Sequence, residues 1–565
     1  MATSAISLPR EARPNDGRPM RARGAVYTPP ALANWVAQLV LEEGGTESVL
    51  DLGCGEGALL AAVAAAVPDA RLFGIEINAP AANSARKALG KRAKLLVGDV
   101  LAPSRLGTEP LVEHWRTALG VAPDAIIMNP PWGAEQTPHP NELTKRGLNL
   151  GGGQSDSYDL FCELAFQIVA PGGRYGFILP DSLFLPEHVR LRELLLRDSE
   201  IALIARLGEG MFPGIFRGCV VVIGTRKKPA IDHRIECLRI TEDDRAVIFA
   251  AHDFERCRNR HSHHVLQSRF GNDATVRFDI DVRESDEAIA KMLRIGGGWT
   301  VPLKGSRGAE ISKSGRVLEC GTCGAARPLP KVDQPKCQEC GNKLDLSRTS
   351  RIIAENRGPV GQWRAFVAGE DVSRYSASAK RWIRTDVKGI NYKQLPLSGH
   401  SRLLVRKTGV GLKAAIEHTG ACTNQVVFDY VLRGDAQFNF SYLHYVLGVL
   451  CSRVLFAFHL KRSGELEWRS HPYVTQKTLA ELPIPVPAKR SKQWRQAAAI
   501  SAAVERHLVQ GDSDLEIEAL VAGLYQLSAA DVRWALNVLD EAADLEPMRA
   551  LRLPKALEII PVIVS

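Results

Sequence analysis

The chain has 565 residues, too many for a single hydrophobic core, so two to four domains are expected. Hydrophobic residues make up 45% and charged residues 24%, the balance of a soluble globular protein, and the lack of an 18-residue apolar run argues against a membrane span. The net charge of +9, with a pI near 9.0, favours a polyanionic partner without requiring one. Eleven cysteines, four of them in two pairs, indicate a reducing compartment and one metal site rather than a disulfide scaffold.

The first 24 residues carry five arginines and no apolar centre. They are therefore no secretion signal, and residues 1–23 are expected to be a flexible basic arm. Residues 48–52, Ser-Val-Leu-Asp-Leu, read as a buried strand, followed by Gly53-Cys54-Gly55-Glu56-Gly57 and an Ala-rich helix to about Val67. Glycines at that turn let a ligand approach the backbone. The next strand, Arg71–Ile75, ends at Glu76, whose carboxylate can accept both ribose hydroxyls of a nucleoside. A third, Lys94–Val97, ends at Gly98-Asp99, where a carboxylate can accept an adenine amine. With Ala58 the glycine loop also fits the dinucleotide pattern G-x-G-x-x-G/A. Asp51 stands before the glycines, where it would repel a pyrophosphate and attract the cationic sulfonium and amino group of S-adenosylmethionine.

The apolar run Asp124–Met128 predicts a fourth buried strand, with Asn129-Pro130-Pro131-Trp132 on a rigid loop at its C-terminal end. The two prolines supply no backbone N–H. What they leave is an amide oxygen, bare carbonyls and an indole expected to be exposed. That set suits a planar ring with an exocyclic amine. Asn129 Oδ1 and the Pro130 carbonyl would accept the two amine hydrogens, and Trp132 would stack on the ring. An ordinary Pro-rich strand-to-helix turn is the alternative reading of the same residues.

Asp51 to Gly57, Glu76, Asp99 and Asn129-Pro-Pro-Trp occur in the order and spacing of amino-directed DNA methyltransferases, which this chain resembles over residues 24–228. Val26-Tyr27-Thr28-Pro29-Pro30, ahead of the glycine loop, is similar to the N-terminal cofactor segment of the γ class, in which a target-recognition domain ends the chain. Tyr158-Asp159-Leu160-Phe161, Gly172–Pro180, and Leu207–Pro213 before the strand Cys219–Gly224 resemble later motifs of that class. The resemblance implies an α/β Rossmann-like fold that binds S-adenosylmethionine. The implied cofactor residues are Tyr27, Thr28, Pro29, Asp51, Gly53, Gly55, Glu76, Ile77, Asp99, Val100 and Asn129. The implied target-base residues are Asn129, Pro130, Pro131, Trp132 and Phe212, although Phe212 also reads as a core aromatic. The implied reaction is methylation of adenine N6 in double-stranded DNA, with the base flipped out of the duplex.

Residues 231–300 carry no chemical motif and are expected to bridge into the recognition region. Cys320-Gly-Thr-Cys323 and Cys337-Gln-Glu-Cys340, thirteen residues apart and each followed by glycine, have the spacing of a structural four-cysteine Zn²⁺ site. The segment resembles a zinc ribbon (residues 318–342), and Lys331 and Lys336 on its loop permit contact with nucleic acid. Residues 360–490 look like the DNA-specificity domain of the class. Within them, residues 374–413 hold ten Lys/Arg and one acid, a candidate phosphate-neutralising surface interleaved with Tyr375, Trp382 and Tyr392, or a solvated face. A helix is expected over Tyr442–His459. Residues 512–546 hold nine acids and one arginine, and the helical segment 491–565 is expected to cap the recognition domain or meet a partner.

The predicted organisation is therefore an arm (1–23), a methyltransferase domain (24–230), an α+β target-recognition region (231–490) and a helical segment (491–565). The expected setting is the bacterial cytoplasm at the nucleoid, with restriction or other defence subunits as candidate partners and no membrane. An RNA or protein-glutamine methyltransferase, or a catalytically silent DNA-binding defence subunit, are the rival readings.

Overall fold

A computed structural model describes residues 27–564, apart from 104–108, 134–138, 152–155, 216, 273–274, 330–334, 394–397, 435–436, 464–473 and 543–545. The expected basic arm, Val26 and Lys331 lie outside the described residues. The chain divides into two compact units, Met1–Phe278 and Asp279–Ser565.

The first unit is built on one sheet of nine strands: β1 (Ser48–Leu52), β2 (Arg71–Glu76), β3 (Ala93–Val97), β4 (Ala125–Met128), β5 (Arg174–Pro180), β6 (Glu200–Gly208), β7 (Cys219–Thr225), β8 (Arg234–Arg239) and β9 (His263–Leu266). Their order is β3-β2-β1-β4-β5-β7-β6-β8-β9. Strands β3 to β5 run parallel, whereas β7 lies antiparallel between β5 and β6. Every residue of β1 and of β4 is buried, which explains why both are continuous apolar runs: helices cover a parallel sheet on both faces. The helices in chain order are α1 (Pro30–Leu41), α2 (Ala58–Ala66), α3 (Ala79–Leu89), α4 (Leu111–Leu119), α5 (Pro140–Lys145) and α6 (Ser157–Ile168). Helix α1 presses onto β5 at Gly176, where an added Cβ would meet Val40 at 2.4 Å, so only glycine admits the helix this closely. Strand β1 is flanked by β2 on one side and β4 on the other. Successive connections therefore diverge at its C-terminal end and leave a crevice there.

Two expected boundaries move. Strands β8 and β9 extend the sheet, and the helices Glu242–Ala251 and Phe254–His261 pack with them. Residues 231–278 therefore belong to the first unit instead of bridging out of it at 230. In the second unit the helices of 491–564 share one apolar core with the segment before them. Ile500, Val504, Ile517 and Val521 cluster with Trp299, Leu403 and Tyr445. Residues 491–564 thus form part of that core and not a separate cap.

The second unit combines this helical layer with small sheets. Strand β10 (Leu303–Arg307) belongs to a four-stranded sheet, and β11 (Arg316–Glu319), β12 (Ala326–Pro328) and β13 (Thr349–Arg351) form a three-stranded one in the order β12-β11-β13. The helix expected over Tyr442–His459 is two, Tyr442–Leu450 and Arg453–Ser463, bent by 60°. The break has a local cause. Ser452 Oγ accepts from Leu455 N (3.3 Å) and the buried Glu518 carboxylate accepts from Arg453 N (2.9 Å), so a second helix starts here with its own caps. Among the described residues no single helix is long and apolar enough to cross a membrane.

Candidate active site and metal centre

Gly53, Gly55 and Gly57 all have positive φ (85°, 54° and 86°), which allows the chain to leave β1, fold back and enter α2 within five residues. An added Cβ on Gly55 would meet nothing within 4 Å, so the loop presents bare backbone to open space. The loop is held from behind: Gly53 N and Cys54 N donate to Ile75 O, and Gly55 N donates to Glu76 Oε2 at 2.8 Å. Glu76 Oε1 accepts from Asn78 N, also at 2.8 Å. Both carboxylate oxygens thus already bind backbone amides, which orients the group at the tip of β2 while each oxygen keeps a lone pair. Asp99 Oδ1 accepts from Leu101 N and Ala102 N, and Trp115 Nε1 donates to Val100 O. Ile77, by contrast, is 60% exposed.

Asp51 differs from these two acids. Its side chain is buried, and among the described residues its Oδ1 has no hydrogen-bond partner. Burial, and then the nearby charge of Glu76, hold its carboxyl well above the usual carboxylate range. A buried carboxylate oxygen lacking a protein donor beside open glycine backbone fits a cationic, nucleoside-sized ligand such as S-adenosylmethionine.

At the tip of β4, Asn129 Nδ2 donates to Thr28 Oγ1 at 3.1 Å. Thr28 lies just before α1, so the helix pressed onto β5 brings the Tyr27-Thr28-Pro29 segment to Asn129. Tyr27 itself is 46% exposed. Behind the loop, Ser157 Oγ donates to Pro131 O (2.8 Å) and Asp156 Oδ1 accepts from Gly133 N (2.8 Å). Arg217 adds a 3.5 Å ion pair to Asp156 and a 3.1 Å hydrogen bond to Ser182 Oγ, which also meets Tyr158 OH. The loop is therefore fixed at both ends.

The expected exposed indole is not found. Trp132 is 6% exposed and meets the buried Phe212 edge-on, with ring centroids 5.1 Å apart and planes at 84°. Apolar burial of two large rings outweighs exposure here, so Trp132 and Phe212 form a wall under the loop.

In the second unit the sulfurs of Cys320, Cys323, Cys337 and Cys340 all lie within 4.8 Å of one another. The Cys320–Cys340 and Cys323–Cys337 pairs are each 3.6 Å apart. Zn–S bonds of about 2.3 Å at tetrahedral angles put sulfurs about 3.8 Å apart, so the four thiols fit a zinc ion. Gly324 and Gly341 close the knuckles with positive φ. The backbone amides of Cys323 and Thr322 pull the Cys320 thiol down to about 6, favouring the thiolate a metal requires.

The basic stretch 374–413 is partly neutralised by the protein's own carboxylates. Arg374 pairs with Asp514 and Glu518, Arg381 with Glu370 and Asp371, Arg384 with Asp386, Lys393 with Glu310, and buried Arg402 with Glu417 and Asp429. Among the described residues at least five of its ten cations thus have carboxylate partners, most of them from other segments, which a local count of charge cannot reveal. Tyr375 is buried. Tyr392 donates to Arg384 O, and Trp382 carries the Arg357 guanidinium 3.8 Å above its ring.

Residues 49–109 match the family model of a methyltransferase domain, and residues 122–212 match that of the Eco57I restriction-modification methylase. Both matched segments lie in the first unit. The Escherichia coli type I restriction enzyme EcoEI methylase subunit is 24% identical to the chain over 212 residues, 34% of this chain and 39% of that one. The release factor glutamine methyltransferase of Burkholderia pseudomallei (strain K96243) is 32% identical over 144 residues, 25% and 46% of the two chains. The chain spans less than half the length of either curated relative. Among solved structures, the type IIG restriction endonuclease BpuSI is similar at 14% identity over 96% of this chain and 66% of that one, with a TM-score of 0.41.

Sequence reasoning missed the supports of the methylase loop: Asp156, Ser157, Ser182 and Arg217. Asp156 and Ser157 carry one legible signal, since an Asp-Ser pair ahead of an apolar helix with Asp159 three residues on reads as a capping box, which α6 has. Arg217 and Ser182 lie on other segments, and no local pattern points to them.

Proposed function

We propose that the chain is an S-adenosylmethionine-dependent DNA methyltransferase that methylates the N6 of a flipped-out adenine within a restriction-modification or phage-defence system. The observation that carries this reading is the Asn129-Pro130-Pro131-Trp132 loop. It stands at the tip of β4, on the strand beside Asp51, inside the segment matched by the restriction-modification methylase model. S-adenosylmethionine supplies an electrophilic methyl group on a sulfonium. Asp51 would face its cationic part, Glu76 with the Gly53–Gly55 backbone would take the ribose, and Ile77, Asp99 and Val100 would take the adenine, with Tyr27, Thr28 and Pro29 closing the segment beside Asn129.

Adenine N6 is a poor nucleophile because its lone pair is delocalised into the ring. The Asn129 carboxamide oxygen and the Pro130 carbonyl accept the two amine hydrogens, which favours pyramidal nitrogen and localises that lone pair. The Thr28 hydroxyl bond to Asn129 Nδ2 orients the amide for this, so much of the rate gain is positional. No side chain acts as a base; the proton leaves to solvent after transfer. Flipping costs a few kcal/mol, offset by contacts in the crevice that the Trp132–Phe212 wall supports. Zinc at Cys320, Cys323, Cys337 and Cys340 has a structural role, and the second unit supplies DNA recognition.

The 32% identity with a release factor glutamine methyltransferase favours a second reading, methylation of a protein glutamine. Long-read sequencing of DNA from cells expressing the chain decides between them. N6-methyladenine at a fixed sequence supports the DNA reading. Unmodified DNA together with a methylated glutamine in a cellular protein replaces it with the second.

A further inference from the structure

We infer that the zinc-ribbon sheet β12-β11-β13 and its second knuckle form a contact surface for the phosphate backbone of duplex DNA, one that adds affinity and carries no sequence information. The inference rests on the DNA reading above and specifies which surface meets the duplex. In the antiparallel pairing of β11 with β13, Arg316 stands directly opposite Arg351. Across the second knuckle Lys336 pairs with Lys343 in the same way. All four are exposed, and among the described residues none has an ion pair with a carboxylate. Residues directly opposite in an antiparallel pair share one face, and like charges there are destabilising. Two such pairs within one small module disfavour its own fold unless an anion lies between the cations.

Elsewhere in the unit, Arg374, Arg381, Arg384, Lys393 and Arg402 each find a carboxylate, which these four cations do not among the described residues. Neutralising the metal centre is the competing role, because four thiolates around Zn²⁺ carry a net charge of −2. Arg348 fits that role: its guanidinium lies against Gly321 of the first knuckle, 3.0 Å from where a Cβ would stand. Arg316 does not. It is four residues from Cys320 along the chain, about 13 Å between Cα atoms at 3.3 Å per strand residue, and no contact with a knuckle is found for it among the described residues. The Arg316–Arg351 pair is thus placed for a partner outside the module. A duplex backbone, with evenly spaced phosphates and no demand for a matched pocket, suits paired cations on a small sheet.

The test uses the full chain with its zinc and a fluorescent duplex, titrated at several salt concentrations. Arg316→Ala with Arg351→Ala should lower the slope of log affinity against log salt by about 0.9 for each phosphate left unneutralised, up to about 1.8 for both. Lys336→Ala with Lys343→Ala should do likewise. Arg316→Lys with Arg351→Lys should keep most of the slope, and zinc content should stay at the wild-type level in all three. Alanine variants that bind with the wild-type slope overturn the inference, as does loss of zinc from the Arg316/Arg351 variant, which would assign the pair to the metal module. Methylation of DNA by the wild-type chain, read by mass spectrometry of its nucleosides, separates the two levels. DNA methylated with unchanged slopes sinks only the ribbon surface, whereas a wild-type chain that neither binds nor methylates DNA sinks both.

Discussion

Asp51→Asn should stabilise the ligand-free protein and cripple cofactor binding. The Asp51 residue is 2% exposed, its Oδ1 has no hydrogen-bond partner among the described residues, and burial followed by the charge of Glu76 raises its pKa. A carboxyl whose folded pKa exceeds its unfolded value favours folding fully only below the unfolded value, and that contribution is lost as pH rises through the folded pKa. Near neutral pH the free protein therefore carries an uncompensated buried charge or a proton taken up at a cost. An amide of the same shape removes that cost. A gain of about 1–2 kcal/mol is expected, in the usual range for relieving a strained functional site. For a unit of this size that raises the midpoint of unfolding by about 2–4 °C per kcal/mol. Cofactor binding should lose a charge-assisted contact of about 1.5–3 kcal/mol, on the order of 10- to 150-fold in affinity. Thermal unfolding of both proteins from pH 5 to 8, paired with calorimetry on S-adenosylmethionine, measures the two effects. The stability gain should grow with pH. A variant no more stable than wild type at pH 8, or one that binds the cofactor normally, refutes the assignment of Asp51.

Further predictions concern the loop and the metal. Ser157→Ala removes the 2.8 Å bond to the Pro131 carbonyl; it should lower turnover about tenfold or more by loosening loop geometry, with cofactor affinity unchanged in calorimetry. Trp132→Ala removes a buried ring from the wall beside Phe212 and should cost about 3–5 kcal/mol of stability by denaturant unfolding, whereas an exposed stacking platform would cost almost none. One zinc per chain should co-purify with reduced protein, and Cys323→Ser should lose it while S-adenosylmethionine binding persists; absence of zinc by metal analysis removes the site.

Much of the methylase domain was legible because its signals are local. An apolar run ending in an acid or asparagine marks each strand tip, and β1, β2, β3 and β4 fall within a residue of where those runs place them. The cysteine knuckles are local too, and spacing alone was enough to bring four sulfurs together. What failed was what depends on distant partners. Trp132 is buried by Phe212, 80 residues away, and Arg374 meets Asp514 and Glu518 about 140 residues on. The bend after Leu450 is enforced partly by Glu518, so the run Tyr442–His459 looked continuous until its capping carboxylate was known. The extension of the sheet through β8 and β9 was hidden for another reason: β8 and β9 interrupt their apolar residues with charged and histidine side chains and carry no catalytic motif.

Transfer of isotopically labelled methyl from S-adenosylmethionine to duplex DNA tests the central claim most directly, with nucleosides resolved by mass spectrometry for the wild type and Asn129→Ala. The wild type should place the label on adenine N6. Asn129→Ala, lacking one of two acceptors for the target amine, should fall at least about 100-fold in rate with little change in cofactor affinity. Label appearing on cytosine or in protein glutamine, or an Asn129→Ala protein that methylates DNA at the wild-type rate, would contradict the account.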